Sequence, residues 1–427
     1  MHLAVVDSNP VALELLQCAK QEGHRVSYLP PAEPAYPLTA EQRRFIGYAD
    51  WVSDGIATTE PAAVTAALAR LHAAHPVDFA TSHLELAVEA VAVACKTLGI
   101  PGTSPDAVLL ARRKDRTRAA LLDAGLATTA FALADDADQA VAAAAAIGYP
   151  VVVKPPSGAG SKLAFVARDE AALRGACQRA AEDLDHVPAT WRDQLSRGFL
   201  VEERLSGPLV SAEIGLRGGR SHLFCVSGRT RAAEDEVIET GVHIPAELPP
   251  DQLRACGEYA ATVCRLIGLD RGVFHIEMIV TGRGPVLVEA NPRIMGGFLP
   301  TVYRLAAGAS IYRSFLQVVS GAPVTGGPAA FDGCVAGRRL FPRVHGTMPD
   351  RWDPAEWLGG HRPAVLRVDG PEELGIRPRQ PVRPGQLIGR VILRGADYAA
   401  TARAARDILG RAERALGVEL MAGEYDP

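Results

Sequence analysis

Short apolar runs alternate with helically spaced segments along most of the chain. Residues 2–7 form an apolar run ending in Asp7-Ser8-Asn9-Pro10, and residues 11–22 carry apolar positions three and four apart until Gly23. A second apolar run follows over 24–29. A period that switches from two to 3.6 and back predicts strand, helix, strand. A helix over 62–72, a strand over 77–81 and a helix over 85–98, closed by Gly99, extend that order. The pattern then predicts one helix over 106–122, strands over 148–154 and 199–207, and helices over 253–266 and 305–319. Gly326-Gly327-Pro328 reads as a linker. Strands over 334–341, 364–368 and 388–393 and a helix over 397–416 complete an α/β pattern. The opening half is Rossmann-like but lacks Gly-x-Gly-x-x-Gly, so it predicts no dinucleotide site.

The stretch 274–297 changes the picture from fold to chemistry. Residues 274–280 and 285–290 are strand-like, and Thr281-Gly282-Arg283-Gly284 supplies the turn. Glu277 and Glu289 stand among apolar neighbours, where a lone carboxylate is costly. Asn291 lies two residues after Glu289, on the same side of an extended chain, and Arg293 two further on. Two carboxylates, an amide oxygen and a guanidinium thus converge near one strand end. Hard oxygen ligands of this kind suit Mg²⁺ that shares its shell with substrate phosphates.

Other segments supply cationic and phosphate-facing groups. Lys154 ends a buried strand, and Pro155-Pro156 cannot continue its ladder. Ser157-Gly158-Ala159-Gly160-Ser161-Lys162 is a small-residue loop able to offer backbone N–H groups to phosphate, although it is no Walker A loop. Lys114 lies in the charged cluster Arg112–Arg116, which taken alone is equally a solvated face.

Composition narrows the class. With 427 residues and 48% hydrophobic content, two to four domains are expected. The net charge is −4, with no basic run, so no nucleic-acid partner and no membrane surface are expected. Seven cysteines without Cys-x-x-Cys fit a reducing cytoplasm rather than a disulfide frame or zinc site. No signal peptide is expected from the first residues, and no segment has the length and apolarity of a membrane span.

Glu277 followed by Glu289-Ala290-Asn291-Pro292-Arg293 resembles the metal and phosphate end of the ATP-grasp fold. The preceding Phe-His-x-Glu and the following Gly-Gly resemble carboxylate–amine ligases that join amino acids, the L-amino-acid ligase (dipeptide synthase) branch. The resemblance covers most of the chain. It implies an N-terminal Rossmann-like pre-ATP-grasp domain over 1–105, which in the family forms one wall of the amine cleft. An ATP-grasp domain over 106–322 follows, with a small lid subdomain at about 128–203, and then a C-terminal lid domain over 323–427.

It implies that Glu277, Glu289 and Asn291 hold two Mg²⁺ ions, with Mn²⁺ as a substitute. Lys114 and Lys154 would hold the phosphates of ATP, under a loop that includes Ser157, Gly158, Gly160 and Ser161. Backbone groups at Glu202 and Leu205 would pair with adenine, beside Glu203. Arg293 would stabilise the transferring phosphoryl group and the oxyanion. Glu239 would hold a substrate ammonium, while Gly296 and Gly297 would line the amine pocket, Gly297 without the bulky aromatic some relatives carry. His243 stands one place beyond the position where a family histidine often follows the glycine; Val242 occupies that place. A ribose carboxylate expected at the position of Leu209 is absent, which leaves Glu213 as the substitute. Arg338 and Arg339 are read as solvated in preference to substrate-binding. The expected partners are a small carboxylate and an amine, joined through an acyl phosphate with release of ADP; a homodimer is kept open. A bicarbonate-using carboxylase, a ligase for a non-amino carboxylic acid and a nucleotide-binding module without turnover remain as alternatives.

Overall fold

The computed structural model describes residues 1–158, 160, 163–184, 192, 195–325 and 331–423. Ala159, Ser161 and Lys162 of the small-residue loop and the 326–328 linker lie outside the described residues. Strands β1 (His2–Val6), β2 (Arg25–Leu29), β3 (Trp51–Val52) and β4 (Phe79–Thr81) form a parallel sheet ordered β3-β2-β1-β4. Leu3 and Val5 enter one apolar layer, Ala4 and Val6 another. Burial on both faces is why β1 is an unbroken apolar run.

Four expected helices differ. Residues 11–22 divide into a 3-10 turn, Pro10–Leu13, and a helix, Glu14–Gln21. The helix expected from residue 85 begins at Val88, because the preceding chain turns through Leu84 N–H to Ser82 Oγ and Ala87 N–H to the Leu84 carbonyl. Glu85 therefore sits on a loop. The helix expected over 106–122 is two, Pro105–Arg112 and Lys114–Asp123, broken at an extended Arg113. The Lys114 N–H leaves the helix and bonds the Pro156 carbonyl at 3.0 Å. Likewise 305–319 resolves into Leu299–Ala307 and Ile311–Ser320, with Gly308 left-handed between them.

A small antiparallel sheet, ordered β5-β8-β6-β7, contains β5 (Phe131–Ala134), β6 (Val151–Lys154), β7 (Phe165–Ala167) and β8 (Phe199–Glu203). The large sheet contains β9 (Leu209–Arg217), β10 (Arg220–Arg231), β11 (Glu239–Ile244), β12 (Arg271–Thr281), β13 (Gly284–Asn291) and β14 (Cys334–Leu340). A two-stranded ribbon of β15 (Gly346–Thr347) and β17 (Pro381–Val382) stands apart, whereas β16 (Val365–Asp369) and β18 (Gly389–Gly395) extend the large sheet, giving the order β13-β12-β9-β10-β11-β14-β18-β16 among the described residues. One face packs on the helix Pro250–Leu266 through Val210, Ala212, Ile276, Met278 and Leu287. No helix among the described residues is long and apolar enough to cross a membrane.

Two β-bulges decide what the opposite face presents. From Thr281 to Met278 the β12–β13 register pairs Met278 with Leu287, but Glu277 then pairs with Glu289, so Val288 is the extra residue. Were Val288 paired in regular register with Glu277, Glu289 would oppose Ile276 and point into the apolar layer, since side chains alternate along a strand. The β10–β11 register shifts in the same way between Thr230 and Arg231, which sets Glu239 opposite Arg231 and skips Thr240. Both glutamates thereby join Glu277 on one face.

Candidate active site

The small sheet and the site face of the large sheet bound a cleft. Its apolar walls include Val152, Val166, Leu205, Leu209, Ile279 and Leu287; its polar end carries Lys114, Lys154, Glu277 and Glu289. A long slot with one apolar and one charged end suits a nucleotide.

The charged end is built from three elements. Lys154 ends β6 and meets Glu202 of β8 at 2.7 Å. Arg118, from the helix Lys114–Asp123, approaches the other Glu202 oxygen at 3.1 Å without hydrogen-bond geometry and donates to the Val288 carbonyl at the bulge. Lys114, one turn earlier on that helix, lies 2.7 Å from Glu289 and donates to the Gly158 carbonyl at 3.3 Å. Burial works against the Glu202 carboxylate, yet the Arg118 and Lys154 charges outweigh it and hold the group below the usual range. Burial also lowers Lys154; Glu202 opposes this, and the like charges of Arg118 and Lys114 add to it. Three cations, Lys114, Lys154 and Arg118, thus face two carboxylates, Glu202 and Glu289, which leaves one positive charge in excess.

Glu202 departs from the expected adenine contact. Its backbone lies inside the small sheet, paired with Phe131 on one side and Val152 on the other, and its side chain serves Lys154. Glu203 and Leu205 line the cleft, with Glu203 bonded to Arg283 at 3.0 Å. Ser157 is buried; Gly158 and Gly160 take positive φ.

Glu277 and Glu289 face each other across β12 and β13, and Asn291 opposes His275. His275 bonds Glu277 at 3.0 Å through Nε2, and its Nδ1 meets Glu213. Burial disfavours the charged imidazole, but Glu213 and Glu277 together raise it to about 9. Glu213 is buried, and its second oxygen accepts from the Met295 N–H. It is thus committed beneath the site and does not line the cleft, which corrects its expected ribose role. Among the described residues no group of three or more His, Cys, Asp or Glu side chains converges on a metal position. Two facing carboxylates and an amide suit an ion that completes its shell with water and phosphate, not a closed protein cage.

Arg293 donates to Glu85 at 2.9 Å and to Asn291 at 3.1 Å. Glu85 is a site residue that the sequence reading missed by placing it inside a helix. A Cβ at Gly296 would lie 3.4 Å from Arg293 Nη1 and 3.7 Å from Asn9 Nδ2, so this wall is shared with the N-terminal sheet. Glu239 lines the cleft, 3.2 Å from the buried Arg229, which also donates to Ser211 and Ser227. His243 does not join it. The bulge at Thr240 turns His243 to the opposite face, where it is buried against the Tyr398 ring at 4.1 Å. Arg338 is buried on that far side, near Tyr398. Arg339 reaches Glu239, donating to its carbonyl at 2.6 Å. Neither arginine is the solvated group the sequence reading prefers.

Residues 147–302 match the family model described as an ATP-grasp domain. Human carnosine synthase 1 is 31% identical over 222 residues, covering 48% of this chain and 26% of that enzyme, so the chain spans about a quarter of its length. Uncharacterized protein y4rH of Sinorhizobium fredii is 27% identical over 382 residues, 84% of this chain and 71% of that one. The L-amino acid ligase from Bacillus licheniformis has a similar structure, with a TM-score of 0.75, 17% identity and 99% of both chains covered. N5-carboxyaminoimidazole ribonucleotide synthetase from Thermus thermophilus gives 0.65 and 18%, with 97% of this chain and 98% of that one covered. Fold and cleft together define an ATP-grasp protein. Residues 147–302 are an ATP-grasp domain, within a chain that has the ATP-grasp fold throughout.

Proposed function

We propose that the protein joins an amino acid, through its carboxylate, to the amine of a second substrate. The substrate carboxylate attacks the γ-phosphorus of ATP, releasing ADP and forming an acyl phosphate. The amine then attacks the carbonyl carbon and expels inorganic phosphate. Positioning and charge compensation dominate such a reaction. Lys114 and Lys154 would hold phosphate oxygens, with Glu202 keeping Lys154 in place. Arg293, oriented by Glu85, would stabilise the transferring phosphoryl group and the oxyanion. Glu277, Glu289 and Asn291 would hold Mg²⁺, which supplies charge neutralisation at the phosphates when bound. Glu239 would accept hydrogen bonds from a donor ammonium.

The observation that carries this reading is the register pair Glu277–Glu289 beside Lys114, at the charged end of a cleft that also contains Glu239. The test is Mg²⁺ATP turnover with a panel of amino acids, using hydroxylamine to intercept acyl phosphate. Hydroxamate together with ADP is the expected result. ADP formed with bicarbonate alone would replace the reading with a carboxylase, and a donor panel served equally by des-amino acids would remove the ammonium role of Glu239.

A further inference from the structure

Beyond Glu239 the site face continues into a compartment with surplus positive charge. Arg339 of β14 and Arg390 of β18 are direct register partners. Both flank the Phe298 ring, at 4.9 and 5.7 Å from its centre. That ring is fixed from below, because a Cβ at Gly337 would come within 1.9 Å of it. Arg229 is a third cation, beside Glu239. The facing anions are Glu239, 3.8 Å from Arg339, and Asp369, 3.6 Å from Arg390.

The donors are not all engaged. Arg339 Nη1 serves the Glu239 carbonyl, whereas Nη2 faces Gly297, where a Cβ would lie 3.6 Å away. The buried Nε of Arg390 has no hydrogen-bond partner among the described residues. Burial lowers the Arg339 guanidinium from its usual range; Glu239 opposes this, and Arg229 and Arg390 add to it. The Arg339 side chain remains 22% exposed, so a ligand can reach it. The Arg339 guanidinium, with Nη2 turned to the side-chain-free gap at Gly297 and Arg390 adding positive charge beside it, matches the planar, bidentate geometry of a carboxylate.

We propose that Arg339, with Arg390 beside it, reads the carboxylate of the amine-bearing substrate, so that the acceptor is an α-amino acid and not a simple amine. This rests on the amide-forming reading above. In that reaction the donor carboxylate is consumed at the phosphates and the donor ammonium belongs to Glu239. The acceptor carboxylate is the ionised group left to be read. Gly297 lies four residues after Arg293, on the wall shared with the N-terminal sheet, and its missing side chain keeps the approach to Arg339 open.

The experiment compares kcat/KM for a set of α-amino acid acceptors with that for the matching primary amines lacking the carboxylate. Arg339→Gln should reduce the preference for the amino acid roughly tenfold or more, as loss of a charge-assisted bond does. The loss should lie in acceptor KM, and Arg339→Lys should restore part of it. Arg390→Gln should act in the same direction. Gly297→Asn, which tolerates left-handed backbone, should do so by obstruction. The readout is a ratio, so a general loss of activity cancels. An unmodified protein with no preference for amino acids, or a ratio unmoved in both Arg339→Gln and Arg390→Gln, overturns the inference. Hydroxamate formation by the unmodified protein separates the two levels. Its absence with every carboxylate removes the amide-forming reading and this inference with it; its presence with an unmoved ratio removes this inference alone.

Discussion

Replacing Glu202 by glutamine keeps the shape of the side chain and removes its charge. The carboxylate is 5% exposed and lies 2.7 Å from Lys154 and 3.1 Å from Arg118. Removing one side of a buried ion pair costs about 3–5 kcal/mol. The glutamine oxygen still accepts from Lys154, which sets the expectation at the lower end, about 3 kcal/mol. At about 2.1 cal/mol/K of unfolding entropy per residue, a chain of 427 residues shifts about 1 °C per kcal/mol, so the unfolding midpoint should fall by roughly 3 °C at neutral pH. The folded Glu202 carboxyl titrates below its ordinary value of 4.5, so its contribution is present above pH 4.5 and lost as pH falls through the lower folded value. The gap between variant and unmodified protein should therefore close in acid. Calorimetry at neutral pH and well below pH 4.5 measures both ends. Added Mg²⁺ATP should narrow the neutral-pH gap, because its phosphates supply the missing negative charge. A variant melting within about 1 °C of the unmodified protein at neutral pH would refute the charge balance argued for this cluster.

Glu289→Gln should lower amide formation at saturating Mg²⁺ATP at least roughly a hundredfold while circular dichroism and the unfolding midpoint persist; near-normal turnover would remove Glu289 from the metal site. Lys154→Ala should lose most of the rise in melting temperature that Mg²⁺ATP gives by binding the native state, and an undiminished rise would show that Lys154 does not hold phosphate. Glu239→Gln should impair an amino-acid donor roughly tenfold more than its des-amino analogue in steady-state kinetics; equal losses would mean that it reads no ammonium.

The residues legible in the sequence are those whose type and strand position are both unusual. Lys154 at the end of an apolar run, and Glu277 and Glu289 inside apolar strands, are of this kind. Arg118 was hidden because a basic residue on a helix resembles a solvated one, although its spacing of four from Lys114 places both on one helical face. Glu85 and Arg339 were hidden because their roles depend on partners far away in sequence, Arg293 for the loop residue Glu85 and Glu239 on the neighbouring strand for Arg339. His243 misled for the opposite reason. It is near Glu239 in sequence, but the register shift at Thr230 and Arg231 gives the two residues opposite faces. The two antiparallel sheets follow from local alternation; their bulges do not, because a skipped residue leaves no mark in a period-two pattern.

The bulge at Val288 makes the register of β13 as important as its composition. Exchange of Val288 for another small apolar residue leaves the bulge possible, since its carbonyl, not its side chain, accepts from Arg118. Flattening the bulge with Val288 retained would set Val288 opposite Glu277 and turn Glu289 and Asn291 towards the apolar layer. Every residue of the motif would still be present in the correct order, and the site would be gone. Deleting Val288, by contrast, should preserve the facing carboxylates, because Leu287 and Glu289 would then follow each other opposite Met278 and Glu277, with loss only of the carbonyl that accepts from Arg118.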